Sequence, residues 1–245
     1  MTSRAARPLL AVLASTVLLA GCGGDSSPPK IRFGSAKPSG GKLGLHPGGN
    51  SQLPLAQWPD ACRLLSDSEL RAIVPQAKHV KRKPVKVTIL NTDPLSEAPP
   101  GTTGDVPRGG CEFEFALPDS GGEGTGNSNV SITVSALADP ALVAKRYGED
   151  KRKDRSEKGF TDLGDSWGVD GCYLVGDGLS AQSAECRQGP YLFDAGGSSW
   201  AEGVAPKPGP DANADENRAA ERKRNRTWTD KVVAQAVRTV GARMS

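Results

Sequence analysis

Five cysteines and two histidines are the residues of this 245-residue chain best suited to act as nucleophiles or metal ligands. They are Cys22, Cys62, Cys111, Cys172, Cys186, His46 and His79. The common zinc sites need a Cys-x-x-Cys pair or nearby histidines, and neither pattern occurs. A catalytic thiol needs a histidine partner, and the expected folded region holds only His79. We therefore expect no metal, no cofactor and no catalytic role for these cysteines.

The first 22 residues, MTSRAARPLLAVLASTVLLAGC, have the pattern of a lipoprotein signal peptide. Arg4 and Arg7 precede a largely apolar run that is too short for a permanent transmembrane anchor. The run ends in Leu19-Ala20-Gly21-Cys22, which is the lipobox pattern. An ordinary secretory peptide with a chance cysteine fits these three features less well. We expect cleavage before Cys22 and lipid on its thiol, so that the mature protein is anchored to the outer face of the cell membrane.

The composition predicts one folded domain on a flexible tether. Removal of residues 1–21 takes away two arginines and no acidic residue, so the formal net charge falls from +3 to +1. A nearly neutral extracytoplasmic chain is a poor candidate for binding nucleic acid. Residues 22–57 are rich in Gly, Pro and Ser, which predicts a tether with a reach of about 30–35 Å. A single extracytoplasmic domain is expected over residues 58–245.

Three helices have start or stop signals. Ser66 and Glu69 have the spacing of a capping box, and Pro75 ends this first helix at or near residue 74. Asp139 followed by proline marks the start of the second helix. The third is expected from residue 228 to about residue 241, and the polar stretch 213–226 is left open between exposed helix and disorder.

Strands are predicted where apolar and polar residues alternate. The predicted strands cover residues 85–89, 111–117, 130–135, 171–175, 182–187 and 191–194, with loops over 92–110 and 205–211. Short amphipathic helices and half-buried strands need each other to cover their apolar faces. This predicts the α+β class, with a twisted antiparallel sheet and helices packed on one face.

The four cysteines that follow Cys22 predict two disulfides, because the chain is expected outside the membrane. Three pairings are possible. Cys172 and Cys186 flank a predicted hairpin turn at equal distances from its centre, which favours pairing between them. Cys62 and Cys111 are then left for each other.

A known family shares several of these features. The segment Asp60-Ala61-Cys62-Arg63-Leu64-Leu65 follows the lipobox and tether, Cys111-Glu112-Phe113 lies downstream, and a second cysteine pair follows. This arrangement resembles the actinobacterial lipoproteins grouped as domain of unknown function 3558. Their usual motifs are Asp-Pro-Cys-x-Leu-Leu and Cys-x-Trp, so Ala61 and Phe113 depart from the pattern. The chain is more distantly similar to extracellular sensor domains of mycobacterial Ser/Thr kinases. The family has no assigned activity, so the resemblance implies no site residues.

Three other features have a structural and a functional interpretation. The stretch GGEGTG at 121–126 leads into a predicted strand and not a helix, so it lacks the context of a phosphate-binding loop. The basic run KHVKRKPVK at 78–86 could contact anionic polymers or lipid headgroups, or could be a charged sheet edge that resists aggregation. Trp167 could line a ligand cleft or belong to the core.

The anchor, the tether and the lack of a catalytic set favour a binding or sensing module with an extracytoplasmic ligand or protein partner, and not an enzyme. The alternative is a cell-wall or lipid-metabolising hydrolase that uses acidic residues such as Asp165 or Asp170. A purely structural envelope protein is the third possibility.

The disulfide pairing has a direct chemical test. Non-reducing peptide mapping of the exported protein is expected to yield the cross-linked peptides 62–111 and 172–186. Free thiols at these positions, or another pairing, would contradict the prediction.

Overall fold

The computed structural model describes residues 29–47, 52–90, 103–119, 122–179, 182–206 and 208–245. The signal peptide, Cys22 and most of the predicted loop at 92–110 lie outside these ranges. Within them, seven strands form one antiparallel sheet against which four helices pack. The predicted α+β class, the antiparallel sheet and both disulfides are confirmed.

The elements follow in the order of the chain. The strands are β1 (Lys78–Leu90), β2 (Thr103–Asp119), β3 (Gly122–Leu137), β4 (Thr161–Gly164), β5 (Gly171–Val175), β6 (Ser183–Gln188) and β7 (Tyr191–Gly196). The helices are α1 (Asp67–Ile73), α2 (Pro140–Asp154), α3 (Ala214–Trp228) and α4 (Ala234–Met244). The strand order in the sheet is β1-β2-β3-β7-β6-β5-β4.

Capping side chains explain where the helices begin. Ser66 and Glu69 form the predicted capping box of α1, and Asp139 accepts a hydrogen bond from the amide of Ala141 at the start of α2. A second capping box joins Asn213 and Glu216, so the polar stretch left open in the sequence is helix α3. One π-helical turn, Thr229–Val233, connects α3 to α4 without a break.

The predicted loop over residues 92–110 is wrong from residue 103 onward, because β2 begins at Thr103. Pro107 and three nearby glycines suggested a loop, yet they lie in a strand that pairs with the edge strand β1. The register shifts here, so that Val85 and Val87 of β1 oppose Gly110 and Val106. Such a bulge accommodates proline, which cannot donate a hydrogen bond to a regular ladder.

Helix α2 packs on the face of the sheet opposite α1 and α4, so the prediction that all helices share one face is wrong. The rings of Tyr147 of α2 and Tyr173 of β5 contact each other at a tilt of 53°, with centroids 5.5 Å apart, in a small separate cluster. The neighbours of Tyr173 in its strand, Cys172 and Leu174, lie in the main core with α1 and α4. Because side chains alternate along a strand, these two sets point to opposite faces.

The two disulfides fasten each half of the sheet. Cys172 and Cys186 are directly opposed on β5 and β6, with Cα atoms 4.2 Å apart. Cys62 lies in the turn before α1 and bonds to Cys111 of β2, with Cα atoms 4.9 Å apart. In the chain-entropy model, bridges of these loop lengths stabilise the fold by about 3 and 4 kcal/mol respectively.

Part of the predicted flexible tether is folded onto the domain. Within residues 29–47, Ile31 is buried in the main core, and the amide of Ile31 donates to the carbonyl of Gly203 at 3.0 Å. The amides of Gly34 and Leu43 donate to the carbonyls of Ile73 and Arg243 at 2.8 and 2.9 Å. We call residues 29–47 the docked segment. Its high Gly and Pro content predicted a flexible chain, but a few apolar side chains, among them Ile31 and Leu43, pack against the main core. Their spacing follows neither a helical nor a strand period, so no sequence pattern indicated this packing.

A buried ion pair joins the docked segment to both ends of the domain. Arg243, in the last turn of α4, bonds to both carboxylate oxygens of Glu69 at 2.9 and 2.8 Å. The two side chains are only 10% and 2% exposed. Arg243 also donates to the carbonyls of Arg63 and Ser39, and the amide of Ser39 donates to Glu69 at 2.6 Å. One carboxylate thus connects the docked segment, α1 and the C-terminus.

Hydrogen bonding keeps Glu69 ionised in spite of its burial. Burial by itself would raise the pKa of Glu69, but the amides of Ser39 and Ser66 and the hydroxyls of both serines donate to the carboxylate, and the pKa is lowered. The stabilisation that this carboxylate provides is therefore complete above the unfolded-state pKa, and is lost as the pH falls through the lower folded-state pKa.

We predict that Glu69→Gln lowers the free energy of unfolding by about 3 kcal/mol or more, because the Arg243 charge would be left buried without its partner. Asp67→Asn is the matched control, since Asp67 lies in the same helical turn and makes an exposed ion pair with Arg82. It should cost less than about 1 kcal/mol. Urea unfolding as a function of pH measures both. Equal effects of the two substitutions, or an unchanged acid limb in Glu69→Gln, would contradict the role of Glu69.

Candidate functional site

The sheet has one polar face that α2 covers only in part. Helix α2 packs against β5, β6 and β7, whereas the same face of β2 and β3 shows half-buried residues at every second position. These include Glu112 and Glu114 of β2 and Asn129 and Ser131 of β3, which the strand register places side by side. The other face of both strands is buried in the main core.

A groove of about 500 Å³ lies at the β1–β2–β3 end of this polar face. Its lining is mostly polar and includes His79, Lys81, Glu114, Asn127, Asn129, Ser198 and Trp200. We call it the Trp200 groove. The volume is within the range of about 300–1,000 Å³ that is typical of small-molecule sites.

Backbone hydrogen bonds hold Trp200 in place at the side of the groove. The chain after β7 runs along β3, where the amide of Asn129 donates to the carbonyl of Ser198 and the amide of Trp200 to that of Asn127. Gly197 permits this close approach, because a Cβ there would lie 2.4 Å from the Asn129 carbonyl oxygen. Trp200 is nevertheless 63% exposed, with the Arg224 guanidinium 5.3 Å from its ring.

The side chains around Trp200 divide into fixed and free groups. The side-chain amide of Asn129 donates to Glu112 at 2.9 Å, and its oxygen accepts from the backbone amide of Ser198 at 2.8 Å, so the orientation of this side chain is set. Glu114 forms an ion pair with Lys83. By contrast, neither Lys81 nor Asn127 has a side-chain partner within the described parts of the chain. The groove therefore presents an ammonium and an amide that are available to a ligand.

His79 reaches the groove from a strained position. Among the described residues it is the only one other than glycine with a positive φ, of 54°. It lies at a register shift of β1, between Lys78 and Lys81. Non-glycine residues in this conformation cost about 1–3 kcal/mol and are concentrated at functional sites. The predicted basic run at 78–86 is thus a charged edge strand, and its bulge presents His79 and Lys81 to the groove.

A cluster of carboxyl groups lies under α2, at the other end of the polar face. The Tyr173 hydroxyl, which has a single proton, is within hydrogen-bonding distance of both Asp154 and Glu185. The hydroxyl can donate this proton to only one of the two carboxyls at a time. Burial raises the pKa of Glu185, and the nearby charges of Asp154 and Asp150 raise it further, against the lowering effect of its hydrogen bond with Tyr173.

Asp194 of β7 belongs to the same cluster. Burial, and then the charge of Glu185, raises the pKa of Asp194 to about 7. Because the groups of this cluster bond mainly to one another and to α2, their arrangement explains how α2 is fastened to the sheet. A smaller groove of about 350 Å³ lies beside this cluster. The described residues hold no group of three or more His, Cys, Asp or Glu side chains placed to bind a metal.

The acidic residues suggested for hydrolysis have no catalytic arrangement. Asp165 is exposed in the turn between β4 and β5. The Asp170 carboxylate accepts from the amide of Gly189 at 2.8 Å and approaches Arg187 at 4.0 Å, which are structural contacts. Trp167 is buried in the main core, so its structural interpretation is the correct one. Residues 122–126 of the glycine-rich stretch are part of β3, and residue 121 lies outside the described chain.

Sequence reasoning missed most of the Trp200 groove. Asn127, Ser198 and Trp200 belong to no periodic pattern, and the register of β3 with the following chain is needed to bring them together. The one usable signal was a tryptophan directly after Gly-Gly-Ser-Ser, where a loop would leave it without a core to join.

Comparison of the chain with protein-family models finds no match, and comparisons with curated proteins and with solved structures find none either. The resemblance to the lipoprotein family stays a prediction. Within the described residues, no helix combines the length and the apolar content needed to cross a bilayer.

The raised pKa of Asp194 predicts an effect of pH on stability. The folded state holds a proton on Asp194 that the unfolded chain releases near pH 4, so this residue should make the free energy of unfolding fall as the pH rises from about 4 to about 7. Asp194→Asn should flatten the curve in this range, whereas Asp215→Asn, on the exposed start of α3, should leave it unchanged. Urea unfolding at a series of pH values measures this. Parallel curves for wild type and Asp194→Asn would contradict it.

Proposed function

We propose that this protein is a lipid-anchored binding module on the extracytoplasmic face of the cell membrane, and that the Trp200 groove is its ligand site. The observation that carries the proposal is Trp200 itself. A large indole that is 63% exposed, and is held there by the backbone, contributes little buried apolar surface to folding. Such residues are frequent at the centres of binding sites.

Two features of the groove favour binding. Its fixed groups, such as the Asn129 side chain, are already oriented by the Glu112 carboxylate and the backbone amide of Ser198, which lowers the entropic cost of binding a ligand. Its free groups, Lys81 and Asn127, offer hydrogen-bond donors at the surface. Catalysis is less well supported, because no serine hydroxyl described in the groove hydrogen-bonds to His79. The Ser128 hydroxyl instead pairs with that of Ser199 at 2.8 Å in a buried position.

The lipid anchor is supported by the lipobox that ends at Cys22 and by the expected pair of disulfides in an oxidising compartment. Both structural disulfides use the remaining cysteines, which leaves Cys22 as the one thiol for lipid attachment.

The anchor predicts a specific labelling result. Cells fed an alkyne-tagged fatty acid should label the wild-type protein, and Cys22→Ala should lose the label and accumulate as the uncleaved precursor. Cys172→Ala/Cys186→Ala is the control, because it removes two thiols without touching the lipobox. Label retained in Cys22→Ala would contradict the anchor.

The ligand site predicts a specific binding result. The full chain in detergent should co-sediment with protease-treated cell-envelope material, and Trp200→Ala should weaken this retention about tenfold or more. Val85→Ala is the matched control, because Val85 is the other large exposed apolar side chain among the described residues and does not line the groove. Unchanged thermal melting would show that both variants are folded. Equal retention of the two variants, or no retention of the wild type, would contradict the proposal.

A further inference from the structure

The docked segment brings the proposed anchor close to the Trp200 groove. A Cβ on Gly203 would lie 2.0 Å from the carbonyl oxygen of Pro29, so these residues are in direct contact. Trp200 precedes Gly203 by only three residues. Pro29, the first described residue, therefore contacts the segment that follows Trp200 at the side of the groove.

The connection from this point to the lipid is short. If Cys22 carries lipid, as the proposed function holds, seven residues from Cys22 to Pro28 lead to Pro29. Even fully extended, they span about 25 Å at most. The sequence alone suggested a tether with a reach of about 30–35 Å followed by the domain. The docked segment instead keeps Pro29 within about 25 Å of the proposed lipid, so the groove stays within reach of the membrane that carries the anchor.

The chemistry of the groove defines what it would bind there. Trp200 provides a flat apolar surface on which a ring can stack, and Asn127 provides an amide for hydroxyl groups. Lys81 has no acidic partner in the described structure, whereas the nearby Glu114 is neutralised by Lys83. His79 adds an imidazole that can donate or accept a hydrogen bond. This combination suits a ring that bears both hydroxyls and a negative charge.

We infer that the Trp200 groove binds the anionic, cyclic-polyol headgroup of a lipid in the membrane that carries the anchor. This inference rests on the proposed function and specifies its ligand. An extended peptide fits less well, because peptides add to the backbone of a sheet edge, and the edge strand β1 is rich in lysine and interrupted by the bulge at His79.

The test uses the lipidated full-length protein anchored in vesicles. The vesicles contain phosphatidylcholine alone, or with phosphatidylglycerol, or with phosphatidylinositol, which has the same charge as phosphatidylglycerol and adds a cyclic polyol. Trp58, Trp167 and Trp228 are buried, so quenching of tryptophan fluorescence by neutral acrylamide reports mainly on Trp200. We expect phosphatidylinositol alone to reduce this quenching, by about threefold or more, as the ring becomes covered.

Two substitutions and one soluble ligand test whether the groove and the shared membrane cause the protection of Trp200. Lys81→Met should restore quenching in phosphatidylinositol vesicles, and Lys145→Met, which removes an exposed lysine on α2, should not. Soluble inositol phosphate added to phosphatidylcholine vesicles should protect Trp200 only at much higher concentration, because it lacks the proximity that a shared membrane gives. Tight binding of the soluble compound would overturn the membrane source of the ligand.

Two further outcomes would overturn the inference. Equal protection of Trp200 by both anionic lipids would mean that charge alone acts. Protection in all vesicles would mean that Trp200 simply contacts the membrane interface. Insertion of about 20 Gly and Ser residues after Asp25 should weaken protection by lowering the effective concentration of headgroups, and unchanged protection would overturn the role of the short connection. Groove-dependent retention on envelope material would survive any of these failures, so the proposed function is tested separately.

Discussion

The ion pair between Glu69 and Arg243 is the contact on which the rest of the arrangement depends. It joins the first turn of α1 to the last turn of α4, across 174 residues of sequence, and it also holds the backbone at Ser39. A buried charge pair is not in itself a strong source of stability, since both partners lose water, and it becomes favourable only when further hydrogen bonds satisfy them. Here Glu69 receives hydrogen bonds from the amides and hydroxyls of Ser39 and Ser66 as well. The cost of burying the Glu69 carboxylate is thus offset by groups from the docked segment, the start of α1 and the end of α4. All three segments must pack together for these hydrogen bonds to form.

The sheet then separates two kinds of surface. On one face, α1 and α4 cover the main core, and the disulfide from Cys62 to Cys111 fixes the start of the domain to β2. On the other, α2 covers the β5–β7 end through the carboxyl cluster around Tyr173. The β1–β3 end of that face has no helix over it in the described structure. The Trp200 groove lies there, among polar side chains of the sheet that no described helix covers.

Local signals in the sequence predicted local structure well. The capping box at Ser66, the alternation along β3 and the cysteine pair flanking a hairpin each depend on residues close in sequence, and each is confirmed. The failures involve distant partners. Strand β4 is four residues long and mostly exposed, so it has no apolar period to detect. The docked segment and the Trp200 groove both depend on contacts between residues 30 or more positions apart, as in the bonds from Ser39 to Glu69 and from Ser198 to Asn129. No period or motif in a single sequence encodes such contacts.

The physical link between the ion pair and the proposed function is the position of the docked segment. If residues 29–47 are held on the domain, only seven residues separate the proposed lipid site from the folded part and the groove stays within reach of the membrane; if they are free, neither follows. Amide hydrogen exchange of the full-length protein tests this most directly at Ile31, Gly34 and Leu43, whose amides donate to the domain backbone. We predict exchange at least about 100-fold slower than in an unstructured chain, because the amides exchange only when the segment detaches. Exchange at the unstructured rate at all three positions would show that the segment is a free tether.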